Sequence, residues 1–342
     1  MSHGQQYRVD RVWGGEVVIW EKAGYLSSPL ARFLDDRLPH RQAVVESWTR
    51  ALESAQDNPP ALRGGHESVG WALEFRLGLD LAHHPARRRE LSYLPIERCV
   101  ELLTAAGFEH TAIGTLPASG TSDPVLLHWS RTHHPVDIDD AQRAALARCL
   151  ELASFSQPMH RLGNSQTVDA RRSLFASTVS EDRHGSDTEL LDALACCWAA
   201  YLARGRKTLA MLGDRVLVAP ELGNGFGVAD LVIGRTLVEV KLGTKPTAEA
   251  VQKWLRQLLG YVLLDRHNAL RLDAVAVYCG WNAGLLTCPL SELLAGAHPG
   301  PTLDLTTLRA DFHAAFRDHL DEYAAWKESK RYPITGSTGP LA

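Results

Sequence analysis

No stretch of about 18 apolar residues occurs anywhere in the 342-residue sequence, so no membrane-spanning helix is expected. The opening "MSHGQQYRVDRVWGG" also lacks a basic segment followed by an apolar run and a small-residue cleavage site, which makes the cytoplasm the expected location. The cysteines Cys99, Cys149, Cys196, Cys197, Cys279 and Cys288 form no C-x-x-C pair and follow no regular spacing. That pattern indicates neither a zinc site nor an iron–sulfur cluster, and buried free thiols in a reducing compartment are the simpler reading. A G-x-x-x-x-G-K-[ST] loop is missing, which argues against an ATP-driven motor in this chain. Nor is there a large excess of either charge: a net charge of −4 and a pI near 6.4 exert no overall pull toward nucleic acid or an anionic membrane. A nucleic-acid role therefore needs a local basic groove, or metal ions that offset carboxylates.

Hydrophobic residues make up 45% of the chain and charged residues 22%, the balance of a globular protein with a sizeable core. The length suits two ordinary domains. Gly14-Gly15 between two β-rich runs signals a hairpin. Helical patterns follow in "LARFLDDRL", entered through Ser28-Pro29, in "RQAVVESWTRALESA", in "ESVGWALEFRLGLDLA" and in "LPIERCVELLTAAGF". The last of these is entered at Pro95 and ends near Gly107. "HTAIGTL" and "DPVLLHW" read as strands, and "DDAQRAALARCLELASF" as another helix. Residues 156–186 are polar without sustained periodicity, which places a domain connection there. The expected organisation is a mainly helical α+β N-terminal domain over 1–160, a linker over 161–185, an α/β domain over 186–330 and a flexible tail over 331–342. In the second half the order is helix ("DTELLDALACCWAAYLARG"), strand ("RVLVAP"), apolar hairpin, helix ("AEAVQKWLRQLLGYVLLD") and two strands ("LDAVAVYCG", "GLLTCPL"). Leu308, Phe312, Phe316, Leu320 and Tyr323 then mark an amphipathic helix.

The apolar hairpin, "GVADLVIGRTLVEVKLG", carries Asp230, Glu239 and Lys241 among otherwise hydrophobic strands. Strand side chains alternate, so Glu239 and Lys241 share one face while Val238, Val240 and Leu242 share the other. The "IGRT" turn folds the preceding strand back and lets the Asp230 carboxylate approach Glu239. Two close carboxylates in an apolar setting repel unless something positive sits between them. A divalent cation removes the conflict: Mg²⁺ takes oxygen ligands and keeps waters, and Asp230, Glu239 and the Val240 carbonyl can form part of its shell. Lys241 beside them can orient an attacking water or stabilise charge on a phosphate. On the next helix Gln257 and Tyr261 lie four residues apart, on one face. Lys253 joins their stripe, and Val251, Trp254, Leu255, Leu258 and Val262 form the core-facing one.

Asp230 followed by Glu239-Val240-Lys241 on the next strand resembles the signature of the PD-(D/E)XK nuclease superfamily. Gln257 with Tyr261 resembles the extra Q-x-x-x-Y motif of its lambda-exonuclease and RecB-like branch. The resemblance covers roughly residues 186 to 290 and departs from the pattern at Ala229, where a Pro is usual. It implies a restriction-endonuclease-like core, with a mixed central sheet flanked by helices. The implied activity is Mg²⁺- or Mn²⁺-dependent hydrolysis of DNA phosphodiesters, in a setting such as restriction or antiphage defence. Asp230, Glu239 and Val240 would hold the metal, Lys241 would assist attack, and Gln257 and Tyr261 would flank the metal site. A helix before the strands often adds an acidic ligand in that family, and Glu189 is the positional match, although Ser186-x-x-Glu189 is also an ordinary capping box. The N-terminal half would recognise DNA ends, a modified base or a partner protein, and self-association stays open.

Each piece also has a plainer reading. E-x-K with an Asp on a neighbouring strand can be a cross-strand salt bridge, and Gln257 and Tyr261 alone can be a polar fringe and a half-buried aromatic. His83-His84 and His133-His134 each precede a Pro and read as loop residues. "ARRRE" and "DARRS" read as solvated surface or as phosphate contacts. The alternative to an enzyme is a catalytically silent nuclease-fold subunit that binds nucleic acid or a partner protein.

Overall fold

The computed structural model describes residues 29–54, 65–83, 94–110, 129–162, 184–223, 227–242, 246–300 and 303–317, with isolated positions between them. The Gly14-Gly15 hairpin, most of "ARRRE", all of "DARRS", residues 163–183 of the expected linker, residues 224–226 and the tail lie outside the described residues.

Helices α1 (Pro29–Arg37), α2 (Arg41–Ser54), α3 (His66–Leu81) and α4 (Ile96–Ala105) come first. Pro95 stands at the N-cap of α4, and the chain leaves that helix through Gly107 at φ 84°. A Cβ there would lie 1.9 Å from the His133 carbonyl oxygen, so only glycine fits. Next come an antiparallel ribbon of β1 (Phe108–His110) and β2 (Trp129–Arg131), then α5 (Asp140–Leu162) and α6 (His184–Ala200). The described parts of "HTAIGTL" and "DPVLLHW" are their His110 and Trp129, which belong to these two short strands. Helix α6 runs on through a π-helical turn (Tyr201–Gly205) into α7 (Arg206–Ala210).

The remaining strands are β3 (Val216–Val218), β4 (Glu221–Leu222), β5 (Gly227–Val228), β6 (Leu231–Ile233), β7 (Thr236–Lys241), β8 (Ala274–Cys279) and β9 (Gly284–Pro289). Helix α8 (Ala248–Leu264) joins β7 to β8, and α9 (Leu290–Ala297) and α10 (Leu305–Ala315) follow. Five strands form one mixed sheet in the order β3-β6-β7-β8-β9, and β4-β5 is a separate ribbon. Only β7 and β8 run parallel within the sheet, because the α8 crossover returns the chain to the same edge before β8 begins. The β6–β7 turn needs Gly234, at φ 60°, whose added Cβ would strike the Leu212 carbonyl oxygen at 2.1 Å.

Helices cover both faces of this sheet. Val238, Val240, Leu242, Ala276 and Tyr278 enter one hydrophobic cluster with α3, α4, α5 and α6, while Leu237, Val275 and Val277 enter a second with α8, α2, α9 and α10. The first cluster joins residues on either side of 161–185, from Val69 to Ala283. Two buried polar knots pin it. Asp80 accepts from Tyr201 Oη at 2.7 Å and from Arg206 Nε and Nη2 at 2.9 and 3.0 Å. The Arg131 guanidinium donates to the carbonyls of Ala82 (3.1 Å), Ala106 (3.0 Å) and Leu79, the open ends of α3 and α4. Among the described residues no helix is long and apolar enough to cross a membrane.

Candidate active site

Strand β7 carries the central residues. Its last pair with β6 is Leu231↔Val238, so Val240 lies two residues beyond the ladder. There the Asp230 side chain takes the place of a strand partner, its Oδ2 accepting from the Val240 N–H at 2.7 Å. The N–H and carbonyl of one strand residue point to the same side, so the Val240 carbonyl faces Asp230 as well. Lys241 and Glu239 face α8. Lys241 Nζ donates to Glu239 Oε1 at 2.5 Å and to Gln257 Oε1 at 3.3 Å, and Gln257 Nε2 donates to Tyr261 Oη at 3.1 Å. Asp230, Glu239, Val240, Lys241, Gln257 and Tyr261 thus meet at one end of the sheet.

Close packing holds the two strands and the helix together. A Cβ on Gly227 would come within 2.9 Å of Leu264 Cδ1 and 3.0 Å of Tyr261 Cε1, so the strand leading to Asp230 lies directly on α8. Thr247 caps α8, accepting from the Ala250 N–H at 3.2 Å. The face that bears Glu239 is not open: Glu239 is 1% exposed, because the apolar stripe of α8 docks on that face too. Within the expected second stripe Lys253 is exposed, Gln257 partly buried and Tyr261 buried.

The electrostatics are strained. Glu239 Oε2 is buried and, among the described residues, has no hydrogen-bond partner. Burial pushes the Asp230 carboxyl well above the usual carboxylate range, the charges of Glu239 and Glu74 push it further, and Lys241 and the Val240 N–H oppose them. Glu74 comes from α3 in the other half of the chain and was not singled out from the sequence. The available signal was that α3 is buried almost all round, at Ala72, Leu73 and every position from Phe75 to Asp80, yet carries charged residues. Glu189 is exposed on α6. Ser186 lies inside that helix, which begins at His184, rather than at its N-cap. Among the described residues no three His, Cys, Asp or Glu side chains are gathered so as to hold an ion by themselves. His134 stands beside Asp80, its Nδ1 3.7 Å from Oδ1, in the first of the two polar knots.

Cys99, Cys149, Cys196, Cys197, Cys279 and Cys288 form no disulfide. No family model, no curated protein and no solved structure matches the chain.

Proposed function

We propose that the protein is a metal-dependent nuclease that hydrolyses DNA phosphodiester bonds and that its sheet and flanking helices form a restriction-endonuclease-like core. The observation that carries the reading is the coincidence, at one end of β7, of an unpartnered buried Glu239 Oε2 and an Asp230 carboxyl that resists ionisation, with Lys241 beside them. Both features suit a divalent cation, which would complete Oε2 and relieve the repulsion between the carboxylates. Asp230, Glu239 and the Val240 carbonyl would hold Mg²⁺ or Mn²⁺, with Glu74 as a further carboxylate within electrostatic reach. So sparse a protein shell suits Mg²⁺, which keeps several waters and takes substrate phosphate oxygens. When bound, such an ion polarises the phosphate and lowers the pKa of a coordinated water.

The other residues act around that centre. Lys241, held by Glu239 and Gln257, presents its ammonium to the negative charge that builds on the phosphate during attack. Tyr261 fixes the Gln257 amide, and Gln257 in turn fixes the lysine, so the Q-x-x-x-Y pair positions the charge. One observation favours a second reading, a silent subunit that binds nucleic acid or a partner protein: the Glu239–Lys241 ion pair is self-sufficient for one carboxylate oxygen. Calorimetric titration with Mn²⁺ separates the two. The nuclease reading expects binding by the parent protein and its loss in Asp230→Asn, whereas absence of binding by the parent favours the subunit.

A further inference from the structure

We propose that Trp281 is a stacking platform for an unpaired base of the strand entering the site, which makes single-stranded or frayed DNA the preferred substrate. The proposal rests on the nuclease reading above. Strand β8 runs beside β7 in the register Lys241↔Cys279, and the turn after β8 is tied to the end of β7 at two points. The Gly280 N–H donates to the Lys241 carbonyl at 2.9 Å, and Trp281 Nε1 donates to the Leu242 carbonyl at 2.6 Å. The same turn is pressed against α3, since a Cβ on Gly280 would come within 2.5 Å of both Leu73 Cδ2 and Leu242 Cδ2. Leu73 immediately precedes Glu74, so the turn, the lysine strand and the helix bearing the third carboxylate meet here.

The indole is therefore fixed relative to Lys241, and it is only partly buried. Its one polar side-chain atom is already engaged, so any ring surface left in solvent is apolar and carries the π system. His66, the first residue of α3, meets it edge-on, with ring centroids 6.3 Å apart and planes at 84°. His66 and Glu74 lie about 12 Å apart along the axis of α3, so the platform stands beside the same helix that carries the Glu74 carboxylate. Every base has a π face, so this grip is independent of sequence. A base inside a duplex has both faces covered by its neighbours and must be unstacked before it can use such a platform.

Fluorescence anisotropy in EDTA, which prevents cutting, tests the proposal with a labelled oligothymidylate and an abasic strand of equal length. Trp281→Leu and Trp281→Phe both remove the hydrogen bond to Leu242, but only the phenylalanine keeps a π face. The expected result is a loss of about tenfold in oligothymidylate affinity for Trp281→Leu, with the abasic strand unaffected and Trp281→Phe close to the parent. Equal losses on the two strands, or a phenylalanine variant as weak as the leucine one, overturn the platform and leave the nuclease reading standing. Failure of the parent to bind either strand also overturns the platform and the single-strand preference, while the nuclease reading stands or falls separately on the Mn²⁺ titration.

Discussion

At Asp230 the carboxyl sits among charges that oppose its ionisation, and that has a consequence for stability. An aspartate whose folded pKa exceeds its unfolded value of about 3.9 binds a proton on folding. The native state then loses stability as pH rises from about 4 through the raised folded value. Asp230→Asn removes that penalty while keeping an acceptor for the Val240 N–H. Thermal unfolding in EDTA at neutral pH should therefore show the variant melting at least about 2 °C above the parent, for roughly 1 kcal/mol in a chain of this size. The gap should close as pH falls toward 4, and an unchanged or lower melting temperature at neutral pH would contradict the strain described here. The proximity of Asp230, Glu239, Lys241, Gln257 and Tyr261 was legible because it follows from local rules, strand alternation and the four-residue helical repeat. Glu74 and Trp281 were not, because each reaches the site by tertiary packing, one on α3 and the other past β8.

Among the elements, α3 and α4 end in carbonyls that no further helical turn satisfies, and one arginine from β2 serves both. Arg131 donates to Leu79, Ala82 and Ala106, and its guanidinium lies 4.2 Å from the Phe108 ring centroid. Burial lowers its pKa to about 10, so it remains charged at neutral pH. Arg131→Met keeps the aliphatic stem and strips the donors. Urea unfolding should register a loss of about 3 kcal/mol, the scale of charge-assisted hydrogen bonds removed from buried acceptors, and a change below about 0.5 kcal/mol would show that water replaces the guanidinium. The start of α1, at Pro29, and both ends of α4, at Pro95 and Gly107, were readable from the sequence. The β4-β5 ribbon and the π-helical turn were not, because elements of two to five residues hold too little periodicity to read.

Across the whole molecule, Asp80 on α3 ties the first half of the chain to Tyr201 and Arg206 in the second. Burial alone would raise its pKa, but hydrogen bonds from Arg206 and Tyr201 and the charges of Arg206 and Arg76 outweigh it and hold the carboxyl below its ordinary value. A depressed folded pKa contributes stability that is present above the unfolded value of about 3.9 and is lost as pH falls through the folded one. Asp80→Asn should cost about 3–5 kcal/mol at neutral pH, because it leaves Arg206 facing a neutral partner, and the difference from the parent should shrink in denaturant titrations below pH 4. An equal difference at all pH values would assign the effect to packing. The succession of helices and strands was legible from local patterning, and the mixed sheet between helical layers was an expectation of the resemblance that the structure shows. The shared core that joins residues on both sides of 161–185 was not, since contacts between distant segments leave no mark in local patterning. The most direct test of the account incubates the purified protein with linear duplex, circular duplex and single-stranded DNA in Mg²⁺ or Mn²⁺, beside an EDTA control and the Asp230→Asn variant. The account predicts cleavage by the parent, lost in both controls; intact DNA on every substrate, from a folded protein that binds Mn²⁺ no better than Asp230→Asn does, would contradict it.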